Sequence, residues 1–114
     1  MPFTTGPIEN TGNQPANANR VRVKVLNRSG GTLTGLIRVF RLNGTRVLLS
    51  QANFSVAANA SAVHTLNLTG TVLQYEVEII PNFAGGLYSV YGLTPANIVI
   101  PAQRIVHSEL TRVF

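Results

Sequence analysis

The stretch Arg20–Arg28, RVRVKVLNR, decides the fold class. Side chains on a β-strand alternate between faces, so Val21, Val23 and Val25 share one face while Arg20, Arg22 and Lys24 share the other. That register predicts a buried valine stripe backed by a cationic stripe in water. Residues 1–19 before it have little to bury, and β-like segments follow one another after it.

Working outward, Val72–Ile80 repeats the pattern, with Leu73, Tyr75, Val77 and Ile79 expected inward and Gln74, Glu76 and Glu78 outward. Leu33–Leu42 carries Ile37 and Val39 on one face. It runs into Asn43-Gly44, a hairpin signal, because a type I′ turn needs positive φ at both positions. Arg46–Leu49 is then expected to pair antiparallel with it. Gln51–Val56, Ser61–Leu68, Leu87–Leu93, Ile98–Ile100 and a strand within 103–114 complete the set. Gly, Asn and Pro turns separate them, among them Ser29-Gly30-Gly31, Ala57–Ala60 and Thr94–Asn97. No window shows helical periodicity. About eight short strands at this spacing predict an all-β fold, an antiparallel β-sandwich or jelly roll with an extended N-terminal arm. The expected division is an arm over 1–19 and a sandwich over 20–114. Because the core strands then begin at Arg20, loss of the arm is expected to leave the sandwich intact.

A chain of 114 residues with 45% apolar content is one globular domain. Only 11% of residues are charged, and Lys24 is the sole lysine beside eight arginines. A surface of Thr, Ser, Asn and Gln suits packing against copies of itself, and equally an extracellular β-domain. Without cysteine there is no disulfide, thiolate metal site or cysteine nucleophile. MPFTTGPIEN has no basic segment followed by an apolar one, so no secretory signal is expected. No apolar run approaches the roughly 18 residues of a membrane span, so membrane insertion is not expected either.

The chemistry-bearing residues favour structural readings. Glu76 and Glu78 stand two apart on one strand face, whereas a hydrolytic carboxylate pair faces across a cleft from different elements. A cross-strand ladder with Arg38, or with Arg20, Arg22 and Lys24, suits them better. His64 and His107 lack metal-ligand spacing. His107-Ser108-Glu109 lacks the nucleophile-elbow glycines of a serine hydrolase. No catalytic residue, cofactor or metal is expected, and the chain is not expected to be an enzyme. The five Asn-x-Ser/Thr sequons, at Asn27, Asn43, Asn53, Asn59 and Asn67, read as turn and strand composition. The net charge of +5 and pI near 10.8 leave a second function open. Arg20, Arg22, Lys24 and Arg28, with Tyr75, Tyr88 and Tyr91 as stacking groups, could serve a small module binding nucleic acid or an anionic surface polymer.

The arm holds most functional content. Phe3 and Ile8 are its large apolar residues, and by itself such a segment cannot offset its ordering entropy. Either it folds onto its own body or a neighbour holds it; extended, it reaches at most about 60 Å. The connector reading lays Phe3-Thr4-Thr5-Gly6-Pro7-Ile8 along an open edge or groove of the next subunit by strand addition. The plain alternative is a frayed terminus.

Together, the leader FTTGPI, the stretches RVRVKVLNRSGGT and VAANASAVHTLNL, and the ending RIVHSELTRV resemble small β-sandwich proteins of spore-forming bacilli. Within these the chain is similar to the endospore appendage subunits of pilus-like fibres on the spore surface. The resemblance implies a jelly-roll-like body, an N-terminal connector of residues 3–8 reaching a neighbour, and a homo-polymer located on the spore surface. It also implies an anchor or tip protein as a further partner, FTTGPI being similar to the leaders of exosporium surface proteins. Nucleic acid is not a partner on this reading. Disulfide-linked members carry connector cysteines that this chain lacks, so its fibre would be non-covalent.

Overall fold

The computed structural model describes residues 2–14 and 16–113. Two antiparallel sheets face each other as an all-β sandwich. One holds β1 (Phe3–Thr4), β2 (Ile8–Glu9), β4 (Leu33–Arg41), β5 (Val47–Val56), β7 (Gln74–Pro81) and β10 (Thr111–Arg112). Its order is β10-β1-β7-β4-β5, with β2 also on β7. The other holds β3 (Arg20–Asn27), β6 (Ser61–Asn67), β8 (Gly86–Leu93) and β9 (Val99–Ile105) in the order β6-β3-β8-β9.

The predicted valine stripe is the floor of the core. Val21, Val23 and Val25 are fully buried and lie in one cluster with Tyr75, Val77 and Ile79 of the facing sheet. Ile37 and Val39 join them from β4, and Leu66 of β6 and Leu68 just after it also belong to the cluster. Period-2 alternation works because each of these strands has one dry face and one wet face.

Four local expectations change. Leu73 is not inward but 47% exposed, and Val72 is buried instead. The Asn43 side chain causes this by accepting a hydrogen bond from Leu73 N and donating one to Thr71 O, which holds residue 73 outside the strand. The Asn43-Gly44 hairpin forms, but through a longer loop over 42–46. Gly44 has a positive φ and Asn43 does not, so the turn is not type I′. Arg46–Leu49 and Gln51–Val56 merge into the single strand β5, with an irregularity opposite Val39/Phe40 absorbing the shift. His107–Glu109 is a 3₁₀ turn rather than a strand, closed by Val106 N–H donating to the Glu109 carboxylate.

The largest difference concerns the arm. Residues 3–10 run antiparallel along β7, pairing Phe3 with Ile79, Thr4 with Glu78, Ile8 with Tyr75 and Glu9 with Gln74. Ile8 and Ala18 belong to the core cluster, and Asn10 is buried beside them. The core therefore crosses the expected boundary at Arg20. A chain without residues 1–19 would lose core residues, so the expectation of an intact truncated sandwich does not follow from this structure.

Candidate functional site

The arm and its seat on β7 form the most elaborated polar site in the molecule. Between the two short pairings the arm carries one residue more than β7, which makes a bulge. Gly6, at φ 67°, takes the left-handed conformation that the bulge needs. Pro7, with no N–H to offer, faces solvent there. Across the bulge the Thr5 N–H donates to Val77 O, and the Val77 N–H donates to the Thr5 hydroxyl, both at 3.0 Å. Thr4 adds a hydroxyl hydrogen bond to the Glu76 carboxylate.

Further along, Asn10 acts as a two-sided clip. Its amide donates to Ala18 O and Val72 O, and its carbonyl oxygen accepts from Ala18 N at 2.8 Å. Gln103, fully buried on β9, donates to both Glu9 O and Asn10 Oδ1 at 2.9 Å and accepts from the Tyr75 hydroxyl at 2.7 Å. The arm is thus tied to β7 by a ladder and to the opposite sheet by one glutamine. Burial raises the Tyr75 hydroxyl well above its ordinary pKa, so it stays a donor in this chain.

At its start the arm adds an aromatic group. The Phe3 ring lies 5.7 Å from Tyr88 and 5.3 Å from His107, and Tyr88 continues through Phe54 to His64. The two histidines thus sit at separate ends of an aromatic row. Among the described residues no three His, Asp or Glu side chains gather as a metal-holding group. His107 Nδ1 accepts the Tyr88 N–H at 3.2 Å.

The carboxylate pair forms a charge ladder on the outer face of the first sheet. Arg38 stands directly opposite Glu78. Arg46 reaches Glu76 at 2.8 Å and Glu78 at 3.5 Å while its guanidinium stacks on Phe40. Arg20, Arg22 and Lys24 belong to the other sheet and do not meet these glutamates. They form a cationic outer face with Arg104, which stands opposite Tyr91. Of the three tyrosines named for stacking, Tyr75 and Tyr88 are buried; Tyr91 is partly exposed, with Lys24 5.5 Å from its ring. Asn27, in the first sequon, is fully buried and its amide is spent on Gly31 O, Val56 O and Ala57 O.

No protein-family model and no curated protein sequence matches the chain. One solved structure is similar. It is the crystal structure of Thermotoga maritima 1070, at TM-score 0.50 and 10% identity over 86% of this chain and 84% of that one. At that identity the likeness shows the sandwich fold alone.

Sequence reasoning singled out Phe3–Ile8 as a connector to a neighbour, whereas here they lie along β7 of their own chain, and it missed Asn10, Ala18 and Gln103, which help to hold them. Asn10 sits in a polar run and Gln103 in a segment with weak alternation. The nearest signal was Gln103 itself, a polar residue two positions before the apolar Ile105 and thus on its parity.

Proposed function

We propose that the chain is a structural, self-assembling subunit of a non-covalent fibre, in which the arm of one copy occupies the β7 seat of the next. The observation that carries this reading is the separability of arm and seat. Residues 3–10 complete one end of the first sheet, where β1 lies between β7 and the two-residue β10 and β2 pairs with β7, and they run on into the body through the stretch 11–19, rich in Asn. Exchanging such a segment between copies makes and breaks the same contacts, so its net cost is small, and head-to-tail exchange propagates unless the rotation closes. Ala18 sits in the core, so the free span is 11–17, about 25 Å when extended. That compares with molecular dimensions of 42 × 28 × 22 Å, so a neighbour's seat lies within reach. The leader and strand resemblances support a spore-surface appendage as the setting, with an anchor or tip protein as a further partner and no enzymatic role.

A covalent trap tests it. Glu9 and Gln74 are exposed register partners in a chain with no native cysteine. Oxidising the Glu9→Cys, Gln74→Cys variant at high protein concentration should give a ladder of linked oligomers on a denaturing gel, and filaments by electron microscopy. Only intramolecularly linked monomer across the concentration range would defeat the reading.

A second reading rests on the cationic outer face of β3 and β9, which suits a polyanion such as nucleic acid or an acidic surface polymer. Binding that falls steeply with salt in a dispersed monomer would favour it.

A further inference from the structure

The outward parity of the second sheet changes character along its length. On β3 it runs Arg20, Arg22, Lys24 and then Leu26; on β8 it runs Leu87, Ser89 and Tyr91. Leu26 stands directly opposite Leu87, and Lys24 opposite both Val63 and Ser89. Leu26 and Leu87 are each 40% exposed and Val63 56%. An apolar patch therefore adjoins a cationic one on the same face.

This patch is concave. β9 pairs with β8 only as far as Val90, and the chain then turns so that Val106 and His107 rise beside Leu87 as a wall. The groove so formed measures about 540 Å³, within the range of small-molecule sites. Lys24 lines it at the end facing Tyr91. His107 Nδ1 accepts the Tyr88 N–H, which fixes the ring at the wall. None of the chain's four glutamates stands on a strand of this sheet, so Lys24 has no carboxylate of its own sheet to pair with.

We infer that this groove binds a single-chain aliphatic carboxylate, the hydrocarbon lying over Leu26, Val63 and Leu87 and the carboxylate meeting Lys24. The apolar walls exclude a fully hydrated polyanion as the best fit, since Leu26, Val63 and Leu87 would stay exposed beneath it. Concavity sets it apart from a membrane-inserting surface, which needs protruding apolar groups. A second copy docked face to face on this groove fits poorly, because it would bring the Arg20, Arg22, Lys24 and Arg104 charges of the two chains together. The site is independent of the arm and of its exchange.

The experiment is titration of the full-length chain with decanoate, below its micelle concentration, followed by calorimetry. Decanoate should bind one per chain, and decanol about tenfold or more weaker, for want of the charge. Lys24→Gln should weaken decanoate about tenfold, the scale of one charge-assisted hydrogen bond, and Val63→Glu should abolish it. Both side chains are exposed, so both variants should melt as the parent does; Leu87→Ser replaces either if it fails to fold. Equal binding of decanol, or no effect of Lys24→Gln, would overturn the assignment of an anion. Absence of decanoate binding would overturn the site altogether. In that event oligothymidylate binding would give the face to nucleic acid, phosphatidylglycerol-vesicle binding to a membrane, and a dimer dissolved by Val63→Glu to a second copy.

Discussion

At Gly92 the backbone leaves no room for a side chain beside a buried polar group. A Cβ there would overlap Gln103 Oε1 and lie 2.9 Å from the Tyr75 hydroxyl. Gly92→Ala must displace the glutamine that holds Glu9 O and Asn10, leaving buried polar groups unpaired. It should cost about 1–3 kcal/mol in denaturant titration, and loosen the arm before it loosens the body. Tyr88 presents the opposite case. Its buried hydroxyl has no hydrogen-bond partner among the described residues, and burial pushes its pKa up to about 12. The unfolded chain ionises near pH 10, so between about 10 and 12 it binds fewer protons than the folded chain. Stability contributed by keeping this phenol neutral is complete below pH 10 and is lost as pH rises towards 12. Tyr88→Phe should therefore be neutral or stabilising at pH 7 and should shallow the alkaline decline. Thermal melts across that range check both, and a destabilisation beyond about 1 kcal/mol at neutral pH would mean that the hydroxyl is satisfied. Neither residue was legible in the sequence as more than part of an alternating strand, since its role depends on what the other sheet brings against it.

At the level of elements, what the sequence made legible is what burial alone dictates. β3 and β7 have one dry face each, and their alternation showed it from Val21 to Val25 and from Tyr75 to Ile79. Legibility failed where a side-chain hydrogen bond overrode the pattern, as Asn43 does at Leu73, or where a loop lengthened, as over 42–46. It failed most for β1, β2 and β10. Strands of two residues have no period to detect, and their ladder bonds come from partners some seventy residues away on β7, or more than a hundred for β10. The Arg38–Glu78 register was legible because opposite charges on outward parity invite a ladder, but which of two cationic strands would stand opposite depended on sheet assignment, and the ion pair to Glu78 is made by Arg46. Val23→Asp tests the element that organises the rest. It would place a carboxylate in the core between β6 and β8, with His64 the one titratable side chain directly opposite in the register, so a loss of several kcal/mol is expected. A variant melting within a degree or two of the parent would mean that this strand's inward face is misassigned.

For the whole molecule, the question is whether the body can stand with its β7 seat empty. Burial of Ile8 contributes about 1.5–3 kcal/mol. Asn10 makes three hydrogen bonds to the backbone, and each typically contributes about 1 kcal/mol. Loss of the segment also leaves the buried Gln103 amide without its two acceptors, Glu9 O and Asn10 Oδ1. Against a total stability on the order of 5–15 kcal/mol, removing this segment consumes a large share. A chain lacking residues 2–12 should therefore be poorly folded by circular dichroism, or melt far below the parent, and should not form filaments. Adding a synthetic peptide of residues 1–12 should restore the fold by mass action, with the melting temperature rising as the logarithm of peptide concentration. The gain reaches about 2.7 kcal/mol at one hundred times the dissociation constant. A peptide with Ile8→Ala and Asn10→Ala should restore much less. Rescue in trans is what exchange between subunits requires, because it shows that a seat accepts an arm not tethered to it. A truncated chain that stays folded and ignores the peptide would mean the arm is dispensable to the core and the seat does not take a donor. A truncated chain that unfolds and cannot be rescued would confine the arm to its own body.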